Sequence, residues 1–477
     1  MLFNSFEFFA FFVTFLVVYF SVPSRLQPFV MVIACYIFYM GWRPSFALLL
    51  AFTTIVDYAT ALRMASARTE AGRKAAMIVA LTINLGVLAT VKYLDFMIAN
   101  VIGVVGLVGY PMSDFTLGIL LPVGISFYTF QSVGYTLDVY NRRVEAERNF
   151  IIYAQYVAFF PQLVAGPIER AGHMLPQFHR VHTLKFENVP PGLWLIGFGL
   201  FKKMCVADAI APIVNGVFAN PQAYSGTYNL IAGLGFVVQI YCDFSGYSDI
   251  ARGLARIMGF DLMINFRQPL FATSVSEFWR RWNISLTTWF RDYLYIPIGG
   301  GKGGEIKVAR NIMIVWLASG LWHGPAWTYV VWGAYHGVWL IVERFVARTV
   351  KPERWLGTAL SSVLGCIWAV AIFTIGQIIF RSTSFANALA TFQSFGDFGP
   401  LSYGTFKMLG LPSFELAMLG LSVCVLFGID YLIARKPERL AALAAVPRLP
   451  TVAGVGLCYY VLIFGVMGRI EFIYFQF

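Results

Sequence analysis

Residues 278–304 read FWRRWNISLTTWFRDYLYIPIGGGKGG, and residues 311–337 read NIMIVWLASGLWHGPAWTYVVWGAYHG. Arginines, a lysine, two asparagines, an aspartate and two histidines stand here among tryptophans, tyrosines and long aliphatic side chains. An unpaired polar group in an apolar medium costs several kcal/mol, so ionisable residues in such a stretch are candidates for function. We therefore expect Phe278–His336 to form the functional site and the other apolar segments to form its walls.

The composition of the chain is that of a membrane protein. Of its 477 residues, 58% are hydrophobic and only 12% are charged, against about 25% in soluble domains. The mean hydropathy is +0.69. The net charge of +11 lies in short loops between apolar runs, which indicates contacts with anionic membrane lipids and not with nucleic acid. The sequence predicts an all-α polytopic membrane protein.

Apolar runs that can cross about 30 Å of hydrocarbon recur along the whole chain. Because several are short, we expect about eleven transmembrane helices, with the remaining runs re-entrant or interfacial. The first run lacks a preceding basic region and a small-residue cleavage site, so it is predicted to be retained. The runs lie near residues 5–22, 29–42, 45–62, 77–91, 95–110, 116–138, 150–167, 190–216, 228–241, 308–322, 326–345, 357–380, 411–433 and 451–470.

The basic loops predict the orientation and also contain a conflict. The loop at 63–76 carries four lysines or arginines, which places it in the cytoplasm and the N-terminus outside. The loop at 141–149 carries three arginines and should also be cytoplasmic. If 77–91 and 95–110 both crossed the membrane, the second loop would lie outside. We therefore expect one piece between 77 and 138 not to be a simple crossing.

Cysteines and clustered histidines give weak evidence of a metal site. Six cysteines are scattered, mostly in apolar runs, and are predicted to be packing residues. His173, His179 and His182 lie in the polar segment 169–191. They could form a metal cluster, but an exposed amphipathic segment is the preferred interpretation, and no metal site is predicted.

Residues 383–410 are predicted to be a loop on the interface.

His323 is the candidate base of the site. It follows an apolar run, and Gly324 and Pro325 directly after it predict a break in the helix. Irregular backbone at membrane depth is tolerated where it lines a cavity, and an imidazole there can accept a proton near neutral pH. A histidine that only hydrogen-bonds neighbouring helices is the alternative. His336 would face away from His323 on a continuous helix and is predicted to be structural.

Asn283 is the candidate partner of that base. An uncharged amide can donate to a carbonyl oxygen that becomes negative during acyl transfer. A helix cap or an interhelical hydrogen bond would explain an asparagine here equally well. No GxSxG, CxxC or HExxH motif is present, and Phe278 stands where a glycosyltransferase QxxRW motif needs glutamine.

Two further groups of polar residues surround the candidate site. Phosphates of a donor such as coenzyme A could bind the basic residues beside the glycine-rich turn 299–304, although a plain cytoplasmic turn would look the same. A second group in YCDFSGYSDIARG is predicted to be a buried network that braces the site, with an i,i+3 pair between Asp249 and Arg252. The first group is Arg280, Arg281, Arg291 and Lys302, and the second contains Asp243, Asp249 and Arg252.

An ordered set of motifs resembles the membrane-bound O-acyltransferases (MBOAT), in particular their bacterial alginate O-acetylation branch. The resemblance covers most of the chain up to about residue 345. Its motifs are MLFNSFEFFAFF, LPVGISFYTFQSVGYTLDVY, FPQLVAGPIER, YCDFSGYSDIARG, NFRQP, FWRRWNISLTTWFRDYLYIPIGG and GLWHGPAWTYVVWGAYHG. The family histidine falls on His323, and the upstream polar partner falls on Asn283, where similar bacterial sequences have RWH and this chain has RWN.

The resemblance implies a fold, a reaction and a set of partners. Residues 1–477 would form one membrane domain around a central tunnel, with N-terminal helices at 1–140, a catalytic core region at 141–345 and C-terminal helices at 346–477. A cytoplasmic thioester, acetyl-CoA or an acyl carrier, would supply an acetyl group without any bound cofactor. With His323 as base, the acetyl group would reach an extracytoplasmic polysaccharide such as alginate through a periplasmic acetyltransferase partner, at the bacterial inner membrane. A transport or export component without covalent acyl transfer is the alternative.

Overall fold

The computed structural model describes residues 1–110, 113, 115–349, 353–446, 448–468 and 470–473. Over these ranges the structure is helical and contains no β-strand, which confirms the all-α prediction. Eight helices come first: α1 (Phe6–Ser21), α2 (Gln27–Met40), α3 (Pro44–Ser66), α4 (Glu70–Leu88), α5 (Leu94–Leu107), α6 (Ile125–Tyr140), α7 (Phe150–Ala158) and α8 (Ala171–Phe178). Thirteen follow: α9 (Val189–Leu200), α10 (Asp208–Ala219), α11 (Gly226–Met258), α12 (Val275–Arg281), α13 (Ile284–Phe290), α14 (Glu305–His323), α15 (Trp327–Thr349), α16 (Glu353–Arg381), α17 (Phe385–Ser394), α18 (Tyr403–Met408), α19 (Ser413–Arg435), α20 (Pro437–Ala444) and α21 (Leu449–Phe464).

The chain divides into two compact units. The first consists of Met1–Pro190, Leu254–Met263 and Gly324–Ala326, and the second of Pro191–Gly253, Ile264–His323 and Trp327–Phe477. The two candidate catalytic residues, Asn283 and His323, belong to the second unit, as does the rest of the predicted site Phe278–His336 except Gly324–Ala326. That residues 1–477 act as a single membrane domain stays a prediction.

Five helical runs within the described ranges are long and apolar enough to cross a membrane. Three shorter helices, α1, α2 and α21, are also apolar. The total of about eleven spans and the central tunnel stay predictions. The five long runs are Pro44–Ser66, Glu70–Leu107, Gly226–Met258, Gly357–Arg381 and Ser413–Arg435.

One of these runs explains the conflict between the two basic loops. Helices α4 and α5 are joined without a break by a π-helical turn, Ala89–Tyr93, so the predicted runs 77–91 and 95–110 form one continuous helix. A single crossing there places the loops 63–76 and 141–149 on the same side of the membrane. Their contacts agree, because Arg73 donates to the Tyr140 carbonyl at 2.5 Å and Arg142 lies 3.4 Å from the Glu70 carboxylate.

Two apolar runs are helical only in part, and the loop predicted at 383–410 is wrong. The run at 150–167 is helical only over Phe150–Ala158, which is too short to cross a bilayer, and turns follow it. The run at 116–138 becomes helical only at Ile125. The predicted loop 383–410 contains two short helices, α17 and α18. Apolar composition without helical periodicity cannot distinguish buried turns from helices, because both exclude charge.

Helices α14 and α15 form a tight hairpin that carries the candidate base, His323. A β-carbon on Gly320 would collide with the Tyr329 carbonyl oxygen, and one on Gly333 with the Trp316 carbonyl oxygen. Small residues at such crossings let two backbones approach closely. The hairpin thereby fixes the position of His323, which ends α14, relative to the aromatic side chains of α15.

Candidate active site

Asn283 lies at the corner between α12 and α13. Its backbone has φ 41° and ψ 56°, in the left-handed region that asparagine tolerates better than most residues. The side chain is 2% exposed, and neither Oδ1 nor Nδ2 has a hydrogen-bond partner among the described residues. An asparagine before a helix normally caps it, but this one makes no side-chain cap. The amide is therefore held buried with its donor and its acceptor unused.

His323 is the last residue of α14, and the helix breaks after it as predicted. The imidazole is 7% exposed and is packed edge-on against aromatic rings. Its ring centroid lies 4.9 Å from that of Trp332 and 5.3 Å from that of Phe380. These contacts fix the plane of the ring, which a catalytic base requires.

Asn283 and His323 line the same small cavity. The cavity has a volume of about 90 Å³ and is otherwise mostly aromatic and aliphatic. Because a water molecule takes up about 30 Å³ in the liquid, the cavity has room for an acetyl-sized group. Its lining residues are Trp279, Trp282, Asn283, Leu286, Thr287, Phe290, Val315, Trp316, Ser319 and His323.

A larger cavity of about 550 Å³ adjoins the small one. The two share Thr287, Val315 and Trp316 as common walls. The larger cavity extends along α14 towards its N-terminus, where Arg291 and Arg344 stand on its wall. Its remaining lining residues are Ser276, Tyr295, Ile312, Leu340, Glu343 and Ala347.

Of the four residues predicted to bind the donor, the structure brings only Arg291 to this cavity. Arg280 and Lys302 are exposed and line neither cavity. Arg281 pairs with Glu277 at 2.5 Å on its own helix. Arg344, which the sequence analysis did not single out, lines the cavity instead and pairs with Glu305 at 3.1 Å.

His336 lies in the same aromatic cluster as His323, contrary to the expectation that the two face apart. That expectation assumed a continuous helix, whereas the break at 324–326 folds α15 back on α14. His336 is fully buried, and its ring lies 5.0 Å from Trp332 and 4.8 Å from Trp279. It does not line the small cavity but contacts two of the tryptophans that do, Trp279 and Trp316.

The polar residues of α11 form a buried charge network with lysines that the sequence analysis missed. Asp243 accepts from Lys203 at 2.6 Å, and Asp249 accepts from Lys202 at 2.8 Å. The predicted pair between Asp249 and Arg252 is present at 3.5 Å. A π-helical turn, Phe201–Ala207, joins α9 to α10 and carries both lysines. The network ties these helices to α11 and lines neither cavity.

The three histidines of the segment 169–191 have separate partners. His173 contacts the Glu169 carboxylate at 2.8 Å, and this hydrogen bond raises the pKa of His173. His179 contacts Glu147 at 2.7 Å. His182 is stacked on Phe260, and its burial lowers its pKa. The preferred interpretation of an exposed amphipathic segment holds for α8, whose other face is buried.

Comparison with known proteins assigns the chain to a family. The model of the membrane-bound O-acyltransferase family matches residues 142–385. The probable alginate O-acetylases of Azotobacter vinelandii and Pseudomonas aeruginosa are 37% and 38% identical to it, each over 88% of this chain and over 82% and 79% of their own length. The chain belongs to the membrane-bound O-acyltransferase family. A peptidoglycan O-acetyltransferase of Helicobacter pylori is 31% identical over 75% of the chain and 72% of its own length.

Family membership confirms that this protein is an integral membrane acyltransferase that uses an acyl donor. Asn283 and His323 both lie inside the matched range. The acyltransferase activity decides against the transport alternative.

Several residues of the O-acyltransferase site could have been found from spacing. Ile312, Val315, Trp316 and Ser319 precede His323 by 11, 8, 7 and 4 positions, which is one face of a helix. Arg344 and Glu343 had no comparable pattern, because only the packing of the α14–α15 hairpin brings the end of α15 back to the start of α14.

Proposed function

We propose that this O-acyltransferase takes an acetyl group from cytoplasmic acetyl-CoA and passes it on for O-acetylation of an extracytoplasmic polysaccharide. One observation carries the proposal: the His323 imidazole and the unused Asn283 amide line one buried cavity of about 90 Å³. A base and a neutral hydrogen-bond donor at one small site are the two groups that acyl transfer to a hydroxyl requires.

The reaction follows from these two groups. His323 removes the proton of the acceptor hydroxyl as its oxygen attacks the thioester carbonyl. Asn283 Nδ2 donates to the carbonyl oxygen, which carries negative charge in the tetrahedral intermediate. Collapse breaks the carbon–sulfur bond, and the proton passes from His323 to the leaving thiolate. The products are an acetyl ester and free coenzyme A, so atoms and charge balance.

The adjoining cavity of about 550 Å³ supports entry of the donor from the cytoplasm. It lies along the middle of α14, and Arg291 on its wall belongs to the basic segment that also contains Lys302 and Arg310. Basic segments of this kind mark the cytoplasmic side. Arg291 and Arg344 on its wall are suited to the phosphates of coenzyme A, while the small cavity beyond Trp316 limits the acyl group to about the size of acetyl.

The relatives support a polysaccharide acceptor. Two are named as probable alginate O-acetylases and one as a peptidoglycan O-acetyltransferase. We propose for this chain the same class of acceptor, a location in the bacterial inner membrane, and a periplasmic acetyltransferase partner that receives the acetyl group. Alginate is the acceptor to test first.

The experiment measures consumption of radiolabelled acetyl-CoA by the purified protein in nanodiscs, with alginate supplied as the hydroxyl acceptor. Because His323 and Asn283 act on the reacting atoms, His323→Gln should lower turnover about 10²- to 10⁴-fold and Asn283→Ala about 10²- to 10³-fold. His179→Gln, on the exposed segment, serves as the control and should match the wild type. Turnover by His323→Gln equal to the wild-type rate would refute the proposed role of His323, and an inactive wild type would refute the donor assignment.

A further inference from the structure

The helix that follows Asn283 is capped by a different asparagine. A residue at the position of Asn283 normally uses its side-chain oxygen to accept from the second or third N–H of the helix. Here the Ser285 N–H donates instead to Asn265 Oδ1 at 3.0 Å. The Ile284 N–H donates to the Asn265 carbonyl oxygen at 2.9 Å. Asn265 thus satisfies two of the free N–H groups at the start of α13.

The segment that contains Asn265 also fixes the chain before Asn283. The Arg267 N–H donates to the Arg281 carbonyl oxygen at 3.0 Å. Residues 265–267 therefore hold the backbone on both sides of Asn283, which keeps its left-handed conformation. Asn265 is itself 1% exposed, so water does not compete for these hydrogen bonds.

We propose that Asn265 is the positioning residue that frees the Asn283 amide for the reaction. Without the Asn265 oxygen, Asn283 is left at the N-cap position of α13, and turning its Oδ1 to the helix would take the amide out of the cavity. Asn265 acts only through Asn283, since it does not line the cavity. This inference rests on the proposed function, in which Asn283 donates to the developing oxyanion.

A purely structural cap and a positioning cap predict different kinetics. A structural cap would lower the amount of folded protein and leave the turnover of each folded molecule unchanged. A positioning cap lowers the turnover number and leaves the KM for acetyl-CoA unchanged, because the donor phosphates bind elsewhere. Its effect also depends on the presence of the Asn283 amide.

The test compares acetyl-CoA turnover by wild type, Asn265→Ala, Asn265→Asp, Asn283→Ala and the Asn265→Ala/Asn283→Ala double variant in nanodiscs. Asn265→Ala should lower the turnover number about 30-fold or more with KM changed by less than about twofold. Asn265→Asp keeps the capping oxygen and should stay within about threefold of wild type. In the Asn283→Ala background, Asn265→Ala should lower the turnover number by less than a further twofold or about that.

The control is Asn229→Ala, because Asn229 is equally buried in the same unit but bonds the carbonyl groups at 221–225. It should leave the turnover number unchanged. The role of Asn265 would be overturned if Asn265→Asp and Asn265→Ala lowered the turnover number equally. It would also be overturned if Asn265→Ala lowered the turnover number as much in the Asn283→Ala background as in the wild type. The proposed function would stand in both cases. If Asn265→Ala does not fold, Asn265→Val takes its place, both in the comparison with Asn265→Asp and in the double variant with Asn283→Ala. A wild type without turnover would remove both proposals together.

Discussion

Burial of the Asn283 amide without a hydrogen-bond partner destabilises the protein, and a bound substrate can offset part of that cost. Leaving a buried donor or acceptor unpaired costs about 1–3 kcal/mol. Asn283 keeps both amide atoms without a partner among the described residues. A carbonyl oxygen in the cavity would accept from Nδ2 and recover part of this energy, more so as negative charge develops. The stabilisation is then largest in the transition state, as catalysis requires.

At the residue scale, His173 gives a pH-dependent prediction outside the membrane. The hydrogen bond that His173 donates to the Glu169 carboxylate raises the pKa of His173 above its ordinary value, so the pair stabilises the folded state fully below the unfolded pKa of about 6.5. That contribution is lost as the pH rises through the raised folded pKa. His173→Gln should therefore lower the melting temperature at pH 6 and have little effect at pH 9. Equal effects at both pH values in thermal unfolding would contradict it.

At the element scale, the α14–α15 hairpin depends on its glycines. Because a β-carbon on Gly333 meets the Trp316 carbonyl oxygen, Gly333→Ala should force the helices apart and cost about 1–3 kcal/mol. Gly428→Ala on α19 is the matched control, since nothing lies within 4 Å of its β-carbon position. Thermal unfolding in detergent measures both. A Gly333→Ala protein as stable as Gly428→Ala would show that the hairpin is not close-packed.

The same hairpin shows what sequence can predict about elements. The helix break after His323 could be predicted from Gly324 and Pro325, because these residues act on the backbone locally. The placement of His336 could not be predicted, because it depends on how α15 packs against α14. The single run Glu70–Leu107 could be detected only as a conflict between charges, since no residue marks the π-helical turn within it.

At the scale of the whole molecule, the single run Glu70–Leu107 predicts where loops lie. Ala71→Cys and Glu145→Cys should both react only with a membrane-permeant maleimide in intact cells, because both basic loops are cytoplasmic. Thr116→Cys, in the exposed segment between α5 and α6, should react with an impermeant reagent. Labelling of Glu145→Cys from outside, with Ala71→Cys protected, would contradict the single crossing.

The candidate site was predictable in part because polar residues are rare in an apolar chain. Asn283 and His323 could be selected on that ground, and the structure places both on one cavity. The capping of α13 by Asn265 could not be foreseen, because the two residues are joined by tertiary hydrogen bonds and by no sequence period. Lys202 and Lys203 were missed for a related reason: their partners on α11 lie 47 and 40 residues away in sequence.

Whether Asn283 donates to the reacting carbonyl can be seen in a structure of the protein with a non-hydrolysable acetyl-CoA analogue. We expect the acetyl group in the small cavity, with its carbonyl oxygen about 2.7–3.1 Å from Asn283 Nδ2 and its carbonyl carbon open to attack from the side of His323. An acetyl group bound outside this cavity, or an Asn283 amide turned to cap α13 in the complex, would contradict it.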